Sequence, residues 1–191
     1  MMNINVLIVG VGGQGTLLAS RILGKIAEND GSDCKLSEVH GMAQRGGSVV
    51  THVKAAEKVL SPIISEGDAD VVLSFEQLEA LRYVNYLKRD GTVIVNSQKI
   101  LPMPVITGAE VYPENVTDVL KKECRFVIEV PALEIAESAG NAKTVNTVML
   151  GVLAKTVGLP YEEVKKAVIE TVPEKVRNVN LEAFEKGYNF K

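Results

Sequence analysis

Residues 3–31 read NINVLIVGVGGQGTLLASRILGKIAENDG, and their order decides the fold class. Asn3 to Val9 is a short, largely apolar run, the pattern of a buried strand. It ends in Gly10-Val11-Gly12-Gly13-Gln14-Gly15, after which Leu18, Ile22 and Ile26 recur at helical spacing and Gly31 supplies a stop. Strand, glycine loop and helix form the setting that the Gly-x-Gly-x-x-Gly motif requires. Gly10 turns the chain, Gly12 lets backbone approach a ligand, and Gly15 lets helix and strand pack closely. The amides at the helix N-terminus, with Gly13 and Gln14 before them, then favour an anion. A nicotinamide site would add an acid at the end of the second strand, about 20 residues further on. Asp30 and Asp33 lie before that strand, and Glu38, near its end, is followed at once by a His-Gly step.

Outward from this unit, strands and helices alternate. ADVVLSF at 69–75 is a buried-strand pattern, followed by a helix with Leu78, Leu81, Val84 and Leu87 on one side. Ser74 and Gln77 read as its capping box, and Lys88, Arg89 and Gly91 as its C-terminal end. Gly91 to Ser97, Val105 to Val111 and Arg125 to Val130 read as further strands. From Ala132 the chain turns helical. Val145, Val148, Met149, Val152, Leu153, Thr156 and Val157 make one stripe that stops at Gly158; Pro160 opens a helix with Val164, Ala167, Val168 and Thr171; Pro173 precedes a last one with Val176, Val179 and Ala183. The expected architecture is an α/β, Rossmann-like three-layer sandwich with a mostly parallel sheet, and a helical C-terminal part at about 132–191 within one domain spanning 1–191.

Composition narrows the function classes. At 191 residues, 46% hydrophobic and 24% charged, the chain suits one well-cored domain. The net charge of −3 and the lack of any basic run with interleaved aromatics argue against nucleic acid or an anionic membrane as partner. MMNINVLIVG lacks the charged region and cleavage site of a secretory signal, and no apolar run approaches the roughly 18 residues of a membrane span, so a cytoplasmic location is expected. Cys34 and Cys124 are single and far apart, which indicates neither disulfides nor a cluster or zinc site; both read as buried small hydrophobes.

SEVHGMAQRGGSVVTHVK at 37–54 is built for contact rather than for core. Gly41, Gly46 and Gly47 permit sharp turns, and Arg45, between Gln44 and the glycine pair, offers a planar fork of donors suited to phosphate or carboxylate. A hairpin turn with Arg45 in a structural ion pair is the plain alternative. His40, in the loop, suits hydrogen bonding or proton transfer, whereas His52, in an alternating strand pattern, suits a surface or satisfied core position. The two histidines have no Cys, Asp or Glu at ligand spacing and make no metal site. Asn141 reads as a cap, Asn146 as a polar residue within reach of a neighbouring loop, and Glu76 and Glu79 as first-turn acids favouring the helix dipole.

GVGGQGTLLASRIL at 10–23, SEVHGMAQRGGSVVTHVK at 37–54, Ser61-Pro62, EQLEALR at 76–82, Ala139-Gly140-Asn141 leading to Asn146, and NLEAFEKGY at 180–188 carry a resemblance over nearly the whole chain. Together they resemble the gamma subunits and domains of 2-oxoacid:acceptor oxidoreductases, and within that family the beta subunits of indolepyruvate ferredoxin oxidoreductases, for which EVHGMAQRGG is the specific element. The resemblance implies a share in a complex that oxidatively decarboxylates an arylpyruvate with coenzyme A, giving acyl-CoA, carbon dioxide and reduced ferredoxin. It places thiamine diphosphate, Mg2+ and [4Fe–4S] clusters in a larger alpha subunit, and implies that this chain is inactive alone, binds no cofactor tightly and has no catalytic residue of its own. Two overlapping roles follow: closing the active site and docking alpha through the Glu38 to Ser48 loop, and binding coenzyme A through the Gly12 to Gly15 amides and Arg45. A role for Gln44 or Arg45 toward the substrate carboxylate, and a site role for Asn146, accompany these. A stand-alone NAD(P)-binding reductase and a non-catalytic scaffolding subunit remain the alternatives.

Overall fold

The computed structural model describes residues 1–43 and 46–191. Six strands, β1 (Ile4–Val11), β2 (Asp33–His40), β3 (Ser48–Ala56), β4 (Ala69–Ser74), β5 (Leu87–Asn96) and β6 (Phe126–Val130), form one sheet in the order β2-β3-β1-β4-β5-β6. β1, β4, β5 and β6 run parallel in succession, while β3 is antiparallel to both β1 and β2. Helix α1 (Thr16–Asn29) carries the chain from β1 to an edge one strand further out, and β3 then returns into the gap. The contact segment is therefore a hairpin turn between β2 and β3. Ser48 lies opposite Val11, so this turn emerges beside the glycine loop at the same end of the sheet.

Alternation along β1 explains why both of its faces are apolar. Ile4, Val6 and Ile8 point into a large core with Ile22, Leu23 and Ile26 of α1, and Leu7 and Val9 point into a second one with Val50, Ile64 and Val72. The first face is covered by α1 and by the C-terminal helices α5 (Ala132–Ser138), α6 (Val145–Thr156), α7 (Tyr161–Thr171) and α8 (Arg177–Tyr188). The other carries α2 (Gln77–Tyr83) and α4 (Val116–Glu123), whose Ala80, Val116 and Leu120 meet Val93 and Val95. α6 is buried almost all round, as its near-continuous apolar run requires. It meets α8 backbone to backbone: a Cβ on Gly151 would lie 2.5 Å from the Phe184 carbonyl oxygen, and one on Gly187 would strike the Val148 carbonyl.

Four local expectations change. The helix after β4 ends at Tyr83 and a 3-10 turn (Val84–Tyr86) follows, because Leu87 pairs with Ala69 as the first residue of β5; Lys88 and Arg89 are therefore strand residues, and Lys88 Nζ meets Asp70 Oδ1 at 2.6 Å. The cap is Glu76, whose carboxylate accepts the Glu79 N–H, while the Ser74 hydroxyl donates instead to the Glu76 carbonyl and the Gln77 amide to Ser97. Val105 to Val111 contains no strand: Pro102 and Pro104 open a single turn, α3 (Met103–Ile106), and Gly108 closes it in the left-handed region, while β6 takes the place beside β5. Cys34 and Cys124 are half-buried rather than buried, each packed on a core edge.

Candidate functional site

The site is built on the turn after β1. Gln14 folds back over it: its Oε1 accepts the Val11 N–H at 2.8 Å and its Nε2 donates to the Phe75 carbonyl at 2.8 Å and to Gln98 Oε1 at 3.4 Å. Gly10 is needed for this, since a Cβ there would come within 2.9 Å of Gln14 Oε1 and 3.1 Å of Phe75 Cβ. Gly12 donates its N–H to the Gly47 carbonyl at 2.8 Å and accepts from Gly46 N–H at 3.4 Å, which ties the glycine loop to the hairpin turn. Gly13 and Gly15 hold φ of 104° and 84°, the left-handed region open to glycine. Among the described residues no backbone carbonyl outside α1 accepts the Gly13 or Gly15 N–H, and both glycines line the cavities beside the start of α1.

Across the loop stands Asn146, from the first turn of α6. It is buried, its Nδ2 lies 3.4 Å from the Gly15 carbonyl, and its Oδ1 accepts the Thr147 N–H; the Thr147 hydroxyl continues to Asn180 Oδ1 at 2.6 Å. On the hairpin side, Ser48 donates to Glu79 Oε2 at 2.5 Å, and burial pushes the Glu79 carboxyl above its ordinary range against the opposing effects of this bond and of Arg82. Glu38 and His40 are exposed; Glu38 accepts the Thr51 hydroxyl at 3.1 Å, and His40 Nδ1 sits 2.8 Å from the Gly41 carbonyl. Gln44 and Arg45 lie outside the described residues.

The glycine turn is a ridge between two cavities. One, of about 550 Å³, is lined by Gly13, Gln14, Gly15, Gln98, Ile100, Leu133, Ala142, Lys143 and Val145. The other, of about 410 Å³, is lined by Gly12, Gly13, Gly15, Thr16, Leu17, Glu38, His40 and Val49. Both open at the C-terminal edge of the parallel strands, where the sheet changes direction, the usual place for a ligand in an open α/β sheet. β3 stands where a dinucleotide fold keeps the parallel strand that ends in its ribose-binding acid, and Glu38 is displaced one strand outward. Among the described residues no three His, Cys, Asp or Glu side chains are placed to hold a metal ion. Nor is any helix there long and apolar enough to cross a membrane.

Residues 5–190 match the family model for pyruvate ferredoxin/flavodoxin oxidoreductase. The chain belongs to this family. Indolepyruvate oxidoreductase subunit IorB of Archaeoglobus fulgidus is 43% identical over 98% of this chain and 95% of its own length, and IorB of Thermococcus kodakarensis is 43% identical with the same coverage. The gamma subunit of a keto/oxoacid ferredoxin oxidoreductase from Geobacter sulfurreducens has the same fold, with a TM-score of 0.73 at 24% identity over 97% of this chain and 96% of that one. A 2-oxoglutarate:ferredoxin oxidoreductase from Magnetococcus marinus, solved with 2-oxoglutarate, coenzyme A and succinyl-CoA bound, shares it at a TM-score of 0.72 and 16% identity over 98% of this chain and 31% of its own. This pyruvate ferredoxin/flavodoxin oxidoreductase family member is a small subunit of the 2-oxoacid:ferredoxin oxidoreductase class, and so part of an enzyme complex.

Among the sequence candidates of this family member, the structure brings Gly10, Gly12, Gly13, Gln14, Gly15, Gly46, Gly47 and Asn146 around one turn, with Glu38, His40 and Ser48 on its hairpin side. Gly12 N–H and the Gln14 amide are committed to internal bonds, whereas Gly13 and Gly15 N–H have no backbone acceptor among the described residues. Sequence reading missed Gln98, Leu133 and Lys143. Their common signal is position, just beyond the C-terminal ends of β5 and β6 and in the turn before α6.

Proposed function

We propose that this chain is the beta subunit of an indolepyruvate- or phenylpyruvate-type 2-oxoacid:ferredoxin oxidoreductase, working in the cytoplasm beside a larger alpha subunit that holds thiamine diphosphate and the iron–sulfur clusters. Here it closes the active site, docks alpha and helps to bind coenzyme A. The observation that carries the reading is the pair of hydrogen bonds joining Gly12 to Gly46 and Gly47, which makes one rim of two loops at the mouth of the sheet. Exposed Leu17, Val39 and Met42 flank this rim, an apolar border suited to burial against another chain. The Gly13 and Gly15 amides, without a backbone acceptor among the described residues, suit a phosphate of coenzyme A. The curated relatives named indolepyruvate oxidoreductase subunits favour an arylpyruvate as substrate.

Reaction chemistry in such a complex is supplied by thiamine diphosphate on the partner. The residues of this chain bind, orient and exclude water at the wall they contribute. Co-expression with the large subunit tests the reading. The isolated chain is expected to turn over no 2-oxoacid, the complex to reduce ferredoxin with indolepyruvate and coenzyme A, and Arg45→Ala to lower that rate in complexes that still assemble. Turnover by the chain alone, or reduction of a ketone with NADPH, overturns it.

A further inference from the structure

The segment between β5 and α4 is an arm with a fixed base and an apolar tip. Its base closes on one buried side chain: Glu76 Oε1 accepts the Ile100 N–H at 3.1 Å and the Tyr112 hydroxyl at 2.6 Å, so a single carboxylate oxygen holds both ends of the loop together. The Tyr112 hydroxyl oxygen also accepts the Leu78 N–H at 3.2 Å, and Lys99 Nζ lies 5.7 Å from the centre of the Tyr112 ring. Between these anchors the backbone bonds to itself. The Pro102 carbonyl accepts the Val105 and Ile106 N–H, the Met103 carbonyl that of Thr107, and the Pro104 carbonyl those of Ala109 and Glu110, with the two prolines fixing φ. The arm is therefore ordered before any partner arrives.

What it turns to solvent is the reverse of an ordinary loop. Residues 100–109, ILPMPVITGA, include no charge, and Leu101, Met103, Ile106 and Val111 are exposed, Met103 by 63% and Ile106 by 61%. Apolar side chains held clear of the core on a preordered backbone suit an interface anchor, since burying them removes apolar area from water while little conformational freedom is lost. Strand order gives the direction of approach. β5 runs parallel to β1, so the arm leaves the sheet at the end where the glycine turn and the hairpin stand, and it lies on the opposite side of β1 from the hairpin. Two apolar projections, Met42 on one and Met103 with Ile106 on the other, thus border one mouth.

Resting on the subunit reading above, we infer that residues 100–111 form a second docking element, which seats in an uncharged apolar groove of the large subunit together with the hairpin rim. The chain is a small subunit of an enzyme complex, and the same fold makes up 31% of a longer oxidoreductase chain, so protein other than a second copy is at hand to cover this end of the sheet. The arm and the hairpin frame the same mouth, and the partner that seats on one meets the other. An acidic or basic partner surface would be desolvated against the tip without a counter-charge.

The test measures assembly. Met103→Glu combined with Ile106→Glu puts two charges at exposed positions of the tip, so the isolated variant should keep the circular dichroism and urea midpoint of the parent. Its affinity for the large subunit is expected to fall at least about thirtyfold, the scale of one interface anchor, while Met103→Leu combined with Ile106→Leu keeps the parent affinity. Light scattering on the isolated chain reads the other occupant: a dimer that the charged variant loses, with affinity for the large subunit unchanged, assigns the arm to a second copy and overturns the proposal. Unchanged assembly with no dimer to lose overturns it as well; if Met42→Glu then abolishes assembly, the subunit reading stands without the arm. A parent chain that does not bind the large subunit removes both.

Discussion

Asn146 fills the space that a side chain on Gly15 would need. A Cβ at Gly15 would lie 2.5 Å from Asn146 Nδ2 and 3.1 Å from its Cγ, and the backbone there has φ of 84°. Two separate penalties therefore meet in Gly15→Ala: about 1–2 kcal/mol for an L-residue in the left-handed region and about 1–3 kcal/mol for overpacking. Denaturant unfolding should show both in the single variant. In Gly15→Ala with Asn146→Ala the overpacking part is expected to be relieved while the conformational part stays; equal losses in single and double variants would show that the contact carries no cost.

Glu76 is a stability element of the far side of the site. Its buried carboxylate accepts the Glu79 N–H at 3.0 Å, the Ile100 N–H at 3.1 Å and the Tyr112 hydroxyl at 2.6 Å, so one side chain caps α2 and fastens the segment after β5. Glu76→Ala leaves these donors unmet and should cost about 3 kcal/mol or more, and Tyr112→Phe about 1–2 kcal/mol, by urea denaturation. A loss for Glu76→Ala no larger than that of Tyr112→Phe would show that the cap and the Ile100 bond contribute nothing.

Glu79 gives a pH dependence with a definite sign. Burial raises its carboxyl in the folded chain above the ordinary 4.5, so the folded state holds this proton more tightly than the unfolded state. Its contribution is full below about 4.5 and is lost as pH rises through the folded value. Glu79→Gln removes the titration while retaining an acceptor for Ser48. The melting temperature of the variant relative to the parent should therefore climb between about pH 4 and pH 8. A difference that stays level, or falls, across that range would contradict this assignment.

What was legible in the sequence follows the range of the interactions. β1, the glycine turn and α1 were readable because apolar run, glycines and helical spacing are local and agree with one another, and Gly158, Pro160 and Pro173 punctuate the C-terminal helices where the structure ends them. The reading failed where long-range pairing decided. Leu87 continues the stripe of α2 yet joins the sheet because Ala69 is there to pair with it. Val105 to Val111 has strand-forming residues but no free sheet edge beside β5, and α4, with only Val116 and Leu120 buried, left too short a stripe to notice. At the site, the glycine loop and hairpin announce themselves by composition. Nothing local in Gln98 or Lys143 says that strand order brings them to the same cavity as Gly13. Glu76 and Glu79 show the same limit: first-turn acids by spacing, they are buried acceptors by virtue of Ile100, Tyr112 and Ser48 arriving from elsewhere.

The bond from Gly12 to Gly47 has a mechanical consequence. Two loops from different parts of the chain share a backbone clasp at their bases, so displacing the hairpin tugs on the turn that begins α1. A shift of Gly47 would thus be felt at the turn before α1 without any side chain relaying the message.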